Sequence, residues 1–244
     1  MEHEAHSNHE HDHHGHGHGH GHGHDHAHAH GHGHHNDQGL AGILRYLRFA
    51  PAMWSSEINE AVVAMVDPKP GERVLDIGSG MGAGVAPLAA TGAEVVAVEP
   101  TPFLRRVLAV RRLFMGARSR VTVVDAGAES LPAANGSVDA VMAVNTMHHW
   151  VDPAKGVAEV ARVVAPGGRV VLVDEDFDDP THPDHEQFAH RGGLEHHGFT
   201  KADAERMGAM LAAAGLVDIE AGHRPVGDRP SILVTATSAT VVAD

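Results

Sequence analysis

Residues 74–84 read VLDIGSGMGAG, an apolar strand-like run that passes into a glycine-rich turn. A buried strand, a tight turn and a following helix bring backbone N–H groups close to a ligand at the start of the helix. Gly78, Gly80 and Ala83 match the G-x-G-x-x-A fingerprint of dinucleotide-binding proteins, and Glu99 lies 21 residues beyond Gly78. On this first interpretation, Glu99 accepts hydrogen bonds from ribose hydroxyls.

Asp76, two residues before Gly78, favours a different ligand. Its carboxylate would lie near a bound pyrophosphate and repel it, whereas an ammonium group and a sulfonium would be attracted. The glycine loop therefore indicates a nucleotide-derived ligand that carries positive charge and no phosphate.

Short apolar runs alternate with helical patterns along the rest of the chain. Strands are predicted at 74–77, 95–98, 121–124, 138–144 and 169–174, with helices at 82–91, 102–114 and 154–164. A helix at 202–214 and two strands near 217–222 and 231–237 follow, and the last two are spaced as a hairpin. Continuous Val-rich strands are typical of burial on both faces. We therefore predict an α/β fold, a doubly wound, mostly parallel seven-stranded sheet with an antiparallel C-terminal strand.

The chain divides into a tail and one domain. Residues 1–37 hold 17 of the 25 histidines, alternating with Gly, Ala and acids, and have no apolar face to bury, so we expect a disordered His-rich tail. Residues 38–244 form the predicted domain. Within it, apolar residues at helical spacing over 38–70 predict two short helices broken near Pro51, and residues 178–200 form a polar insert.

Composition excludes several classes of function. The chain has 244 residues, no cysteine and a formal net charge of −14, of which residues 38–244 carry −8. An acidic body argues against a nucleic-acid partner, and the lack of cysteine excludes thiolate metal sites and catalytic thiols. No apolar run approaches about 18 residues, so we expect no membrane span. Without an apolar stretch near residue 1, the cytoplasm is the expected location.

Four ordered segments resemble the class I S-adenosylmethionine (SAM)-dependent methyltransferases. D-x-G-x-G-x-G from Asp76 to Gly82 resembles the first motif of that family, and Glu99 closing VVAVE resembles its acid after strand 2. AESLP followed by NGSVDAVMAVNTMHHWVDP, and then EVARVVAPGGRVVLVD, are similar to the branch of ubiquinone and menaquinone biosynthesis enzymes. The resemblance covers roughly residues 71–175. It implies a Rossmann-like methyltransferase fold and a small-molecule methyl acceptor.

Transferred residue by residue, the resemblance implies a cofactor site for SAM. Asp76 would orient the amino group of the methionine moiety, and Glu99 would accept both ribose hydroxyls. The remaining predicted cofactor-binding residues are Gly78, Ser79, Gly80 and Gly82 in the loop, Pro100 and Ala128 at the adenine, Asn145 on the methionine side, and Gly127. Gly127 stands where relatives often have an acid, which leaves the adenine amino group without its usual partner.

The acceptor is expected beyond the carboxyl ends of strands 4 and 5. His148 and His149, directly after strand 4, are the candidate catalytic bases, because imidazole titrates near neutral pH; a scaffold role is the alternative. The acidic run DEDFDD at 174–179 would bind a metal or a cationic acceptor, or would be a solvated loop. The sequence leaves the acceptor and its attacking atom open.

The tail offers a second class of function. Neutral imidazoles bind Ni²⁺ and Zn²⁺, and glycine between them lets the chain fold round an ion. The predicted, non-specific metal ligands are His16, His18, His20, His22, His24, His26, His28 and His30. The alternative to an enzyme is therefore a metal sensor or buffer that uses a methyltransferase-like scaffold.

Overall fold

The computed structural model describes residues 54–186 and 201–240. The His-rich tail with its predicted metal ligands, the first predicted N-terminal helix and residues 187–200 of the predicted insert lie outside the described residues. Tail and domain boundaries therefore stay predictions.

Five α-helices and seven strands lie within the described ranges. The helices are α1 (Glu57–Val66), α2 (Val85–Ala90), α3 (Pro102–Arg111), α4 (Pro153–Val163) and α5 (Lys201–Ala213). The strands are β1 (Arg73–Ile77), β2 (Glu94–Val98), β3 (Val121–Val124), β4 (Val138–Val144), β5 (Val164–Glu175), β6 (Leu216–Val226) and β7 (Arg229–Ser238). Short 3₁₀ turns cover Arg112–Phe114 and Met147–His149.

The strands form one sheet in the order β3-β2-β1-β4-β5-β7-β6. The pairs from β3 to β5 are parallel, whereas β7 pairs antiparallel with both β5 and β6. The predicted seven-stranded, mostly parallel sheet with antiparallel C-terminal pairing is confirmed. The strand order reverses between β1 and β4, so their carboxyl ends open the crevice where ligands bind in such sheets.

Apolar side chains cover both faces of the sheet. In β1, Val74 packs in one core cluster, while its neighbours Leu75 and Ile77 pack in the other. Helix α1 covers the first of these faces, because its apolar spacing buries Ile58 and Val62 on one side. Burial on both faces explains why the central strands are continuous Val-rich runs.

The boundaries differ from the prediction at the helix starts and the last strands. The helix expected from residue 82 begins at Val85, because the glycine loop continues to Gly84; Pro87 is then its third residue, where no intrahelical N–H bond is lost. The stretch 102–114 divides into α3 and a 3₁₀ turn. The last two strands are longer than predicted and leave only residues 227–228 between them. In the described residues, no helix has the length and apolarity needed to cross a bilayer.

Candidate active site

The glycine loop turns sharply at the end of β1. Gly78, Gly80 and Gly82 all have positive φ, of 71°, 54° and 90°. The Gly78 and Ser79 N–H groups both donate to the Val98 carbonyl, at 2.8 and 3.0 Å. A Cβ on Gly78 would lie 2.3 Å from the Thr146 hydroxyl oxygen, so both the backbone conformation and the neighbouring chain require glycine there.

Asp76 presents a buried carboxylate beside this loop. The residue is 3% exposed, and its Oδ2 has no hydrogen-bond partner within the part of the chain that the structure describes. Burial, reinforced by the charge of Glu99, raises the pKa of Asp76 to about 7. A Cβ on Gly84 would lie 3.4 Å from this Oδ2 and 2.9 Å from Oδ1 of Asn59. Oδ2 of Asp76 and Oδ1 of Asn59, both hydrogen-bond acceptors, therefore lie close to the same residue, Gly84.

Glu99 follows β2 and is held by backbone donors. Its Oε2 accepts from the Gly80 N–H at 2.8 Å and its Oε1 from the Thr101 N–H at 2.7 Å. The residue is 4% exposed, and burial raises the pKa of its carboxyl against the opposing effect of these N–H groups and of a hydrogen bond from the Thr101 side chain. A carboxylate has about four acceptor positions, so this one is oriented by the chain and can still accept from a ligand hydroxyl.

The segment after β3 holds the residues predicted to frame an adenine. Ala128 is buried, Gly127 is half-buried, and Pro100 is exposed at the end of β2. Glu129 fixes this segment, because its Oε1 accepts from the N–H groups of Val151 and Asp152 at 2.7 and 3.2 Å.

Asp125, the nearest acid to Gly127 on the amino-terminal side, lies on the surface. Its Oδ2 is 2.7 Å from Nη2 of Arg105, and its side chain is 68% exposed. The same guanidinium binds the carbonyls of Glu99 and Pro100, both at 2.8 Å. Arg105 therefore ties the end of β2 to the chain after β3.

Asn145 connects the end of β4 to the end of β5. It has a φ of 54°, a left-handed conformation that asparagine tolerates better than most residues. Its side-chain oxygen accepts from the Glu175 N–H at 2.7 Å, and its Nδ2 lies 3.2 Å from Oε2 of Glu175. The side chain thus holds a buried carboxylate at the sheet edge.

The histidine pair occupies the 3₁₀ turn after β4. The side chain of His148 is buried, with Nδ1 3.0 Å from Oδ2 of Asp174, and that carboxylate also accepts from the His148 N–H at 3.1 Å. His149 is exposed. Trp150 packs against α4, where a Cβ on Gly156 would lie 2.5 Å from its ring. The catalytic role of His148 and His149 stays a prediction, and the geometry favours the scaffold alternative for His148.

A cavity of about 610 Å³ opens at the carboxyl ends of β1, β4 and β5. Five of the predicted cofactor residues line it, namely Asp76, Gly78, Ser79, Gly80 and Asn145. Gly82, Glu99, Pro100, Gly127, Ala128 and both histidines are not part of its lining. Because Glu99 bonds Gly80, it nevertheless adjoins the cavity through the loop.

The lining also contains residues that sequence reasoning missed or left open. Asn59 from α1 and Arg229 from β7 carried no motif, since one lies in an ordinary amphipathic helix and the other in a hairpin. Glu175 and Phe177 belong to the acidic run whose role the sequence left undecided. The acidic run directly follows a predicted central strand, and this position was the sequence signal that could have identified it as part of the site.

A second polar cluster lies farther along this run. Nε2 of His223 is 3.3 Å from Asp176 and 3.5 Å from Asp179, both through Oδ2. These three groups have the residue types of a metal site, and equally of an exposed ion pair formed when His223 is protonated.

Part of the chain is similar to known methyltransferases. Residues 75–172 match the family model described as a methyltransferase domain. A SAM-dependent methyltransferase from Aquifex aeolicus superposes with a TM-score of 0.56 at 22% identity, over 73% of this chain and 88% of that one. The [4+2]-cyclase SpnF gives a TM-score of 0.58 at 17% identity, over 75% and 81%. Residues 75–172 are therefore similar to methyltransferase domains, and the chain shares the fold of these solved structures.

One of the relatives in sequence is a demethylmenaquinone methyltransferase. The chain is 40% identical over 114 residues to a demethylmenaquinone methyltransferase of Clavibacter sepedonicus, a match that covers 47% of this chain and 45% of that protein. The chain thus spans less than half the length of this curated relative. This relative belongs to the ubiquinone and menaquinone biosynthesis branch that the sequence motifs resemble.

Proposed function

We propose that this chain is an enzyme that transfers a methyl group from SAM to a small-molecule acceptor. The observation that carries the proposal is the Asp76 carboxylate on the cavity wall, which is buried and whose Oδ2 has no hydrogen-bond partner in the described ranges of the chain. A buried carboxylate without a partner is costly, so a cationic ligand group that satisfies it gains that free energy on binding. The fold alone does not decide the reaction, because function depends on the site.

The residues of the loop fit the donor that the family implies. Asp76 and Asn59 offer two acceptor oxygens to an ammonium group, which has three donors. The missing side chains of Gly78 and Gly80 let the backbone approach the bound molecule closely. Glu99, held by Gly80 and Thr101, can still accept a hydrogen bond from a ribose hydroxyl.

The chemistry needs alignment more than acid–base groups. SAM supplies a methyl carbon attached to a positively charged sulfur, and an in-line displacement moves that methyl to the acceptor. The chain's own contribution is to fix both partners in the cavity, and such positioning is worth effective molarities of about 10⁵–10⁸ M. A general base is required only for an acceptor that loses a proton in the reaction.

Binding of S-adenosylhomocysteine to the full chain, measured by isothermal titration calorimetry, tests the proposal. We expect Glu99→Ala to weaken binding roughly 10- to 100-fold, because charge-assisted hydrogen bonds are lost. Glu94→Ala is the matched control, since Glu94 is the exposed first residue of the same strand. The proposal is wrong if the parent does not bind, or if Glu99→Ala binds as the parent does.

A further inference from the structure

The cavity wall formed by the end of β5 and the start of β7 carries charged groups that the donor site does not use. Glu175, the last residue of β5, has a side chain only 5% exposed. Asp184 and Arg229 lie beside it, and all three line the cavity. The family match ends at residue 172, so this wall lies beyond the segment shared with the methyltransferase domain family.

These groups form one bonded cluster with a net negative charge. Nη1 of Arg229 lies 3.2 Å from Oε1 of Glu175 and 3.1 Å from Oδ2 of Asp184. Two carboxylates therefore share one guanidinium. Asn145 binds the other oxygen of Glu175, which fixes its orientation.

The buried side chain of His182 packs beside Asp184 and Glu175. His182 has a side chain with no exposure, its Nδ1 accepts from the Asp184 N–H at 3.0 Å, and its Nε2 lies 4.0 Å from Glu175. Because Nδ1 is an acceptor, the neutral ring carries its proton on Nε2, which has no hydrogen-bond partner among the described residues. Burial lowers the pKa of His182, which favours this neutral form and leaves the negative charge of the cluster in place.

The rest of the described lining adds to this charge. Glu57 and Glu60 stand in the first turn of α1, and Asp76 faces the donor side. Arg229 is the only cationic side chain among the described lining residues. In a partly enclosed cavity such a balance repels carboxylates and phosphates and attracts cations. Phe177 and Met81 supply apolar surface for the carbon part of a ligand.

We propose that the methyl acceptor is an amine, and that Glu175 and Asp184 bind its ammonium group in this wall of the cavity. The inference rests on the proposed methyltransferase function and names its substrate class. Hydrogen bonds from an ammonium donor to carboxylate acceptors are charge-assisted, so they are stronger than those that a neutral hydroxyl makes. A carboxylate-bearing acceptor would instead place like charges together.

The same wall supplies the proton transfer that methylation of an amine requires. An ammonium has no free electron pair, so it first gives a proton to the Glu175 carboxylate. The neutral nitrogen then forms a bond to the methyl carbon while the carbon–sulfur bond breaks and its electron pair stays on sulfur. The product is a methylammonium ion with S-adenosylhomocysteine, and Glu175 releases its proton to water. Burial raises the pKa of Glu175, which makes it a stronger base than an exposed carboxylate.

Matched probes test the substrate class on the full chain saturated with S-adenosylhomocysteine. Ethyl, phenylethyl and indolylethyl skeletons, each bearing an ammonium, a hydroxyl or a carboxylate group, are titrated at neutral pH. We expect the amine to bind at least about tenfold more tightly than the alcohol in one skeleton or more, and the acid to bind weakest. If no skeleton gives that order, absence of all probe binding included, the amine assignment is wrong.

Variants separate this inference from the proposed function. Glu175→Gln is expected to remove the preference for amine over alcohol while S-adenosylhomocysteine affinity stays within about twofold. Asp184→Asn, at a more exposed site, is expected to weaken the preference in a chain that folds normally. Glu220→Gln, exposed on β6, is the control that changes neither. Normal S-adenosylhomocysteine binding with no amine preference overturns the inference alone, whereas loss of that binding in the parent overturns the proposed function.

Discussion

Burial of the Asp76 carboxylate lowers the free energy of unfolding at neutral pH and, in the proposed function, favours the binding of a cationic ligand group. It lies inside β1 between two paired strands, so its carboxylate is removed from water by the same sheet that positions the glycine loop. Its pKa of about 7, against an ordinary 3.8, means that the folded chain holds this proton more tightly than the unfolded chain. The free energy of unfolding therefore falls as pH rises from about 4 to about 7 and is level above.

Asp76→Asn is expected to remove this fall. At about pH 8 the variant should be more stable than the parent by at most about 4 kcal/mol, because no charge is buried. Its S-adenosylhomocysteine affinity should be lower and independent of pH, whereas the affinity of the parent should rise as pH increases through about 7. Urea unfolding and calorimetry over about pH 5–8 measure both effects. A variant with the parent's pH dependence would contradict the assignment.

The 3₁₀ turn after β4 is organised by one carboxylate from the neighbouring strand. Asp174 is 3% exposed, and it accepts from the N–H groups of Thr146, Met147 and His148 at 2.8, 3.3 and 3.1 Å. Thr146 in turn meets Gly78 of the glycine loop. The element therefore couples the end of β5 to the donor side of the cavity.

Asp174→Asn should destabilise the fold by about 2–4 kcal/mol, because an amide –NH₂ would face backbone donors and leave them unsatisfied. Urea unfolding gives the change, and hydrogen exchange should show faster exchange at residues 146–148. Asp67→Asn is the control, since Asp67 is exposed and follows α1; its effect should stay within about 0.5 kcal/mol. Equal losses in the two variants would be inconsistent with this role for Asp174.

At the scale of the whole molecule, the cavity is assembled from distant parts of the chain. Asn59, Asp76, Asn145, Glu175 and Arg229 come from α1, the sheet centre and the C-terminal hairpin. The antiparallel pairing of β7 with β5 brings Arg229 next to Glu175.

Deleting residues 1–37 should leave the S-adenosylhomocysteine affinity and the melting temperature unchanged and remove most Ni²⁺ binding. The tail holds 17 of the 25 histidines, and neutral imidazole is the ligand that Ni²⁺ favours. Calorimetric titration with nickel chloride on both chains measures the loss. Undiminished binding would instead point to a metal site in the body, where Asp176, Asp179 and His223 are the group to mutate.

Much of the architecture was predictable because local pattern and burial agree. The strands at 121–124 and 138–144 match the prediction to the residue, since each is an apolar run bounded by polar turns. The helix predicted from residue 82 starts later, because the positive φ of Gly82 keeps the loop going. The longer hairpin strands depend on pairing partners, which a local pattern does not contain.

The sequence by itself determined the α/β sheet, the glycine loop and the acid pair Asp76 and Glu99, because strand periodicity, turn glycines and motif spacing are local properties. The tertiary structure decided which side chains meet across the sheet edge. It placed His148 against Asp174 and joined Glu175 to Arg229 and Asn145. It also buried Oδ2 of Asp76 without a hydrogen-bond partner among the described residues. These contacts join residues separated by 26 to 54 positions, and only the strand order brings such positions together.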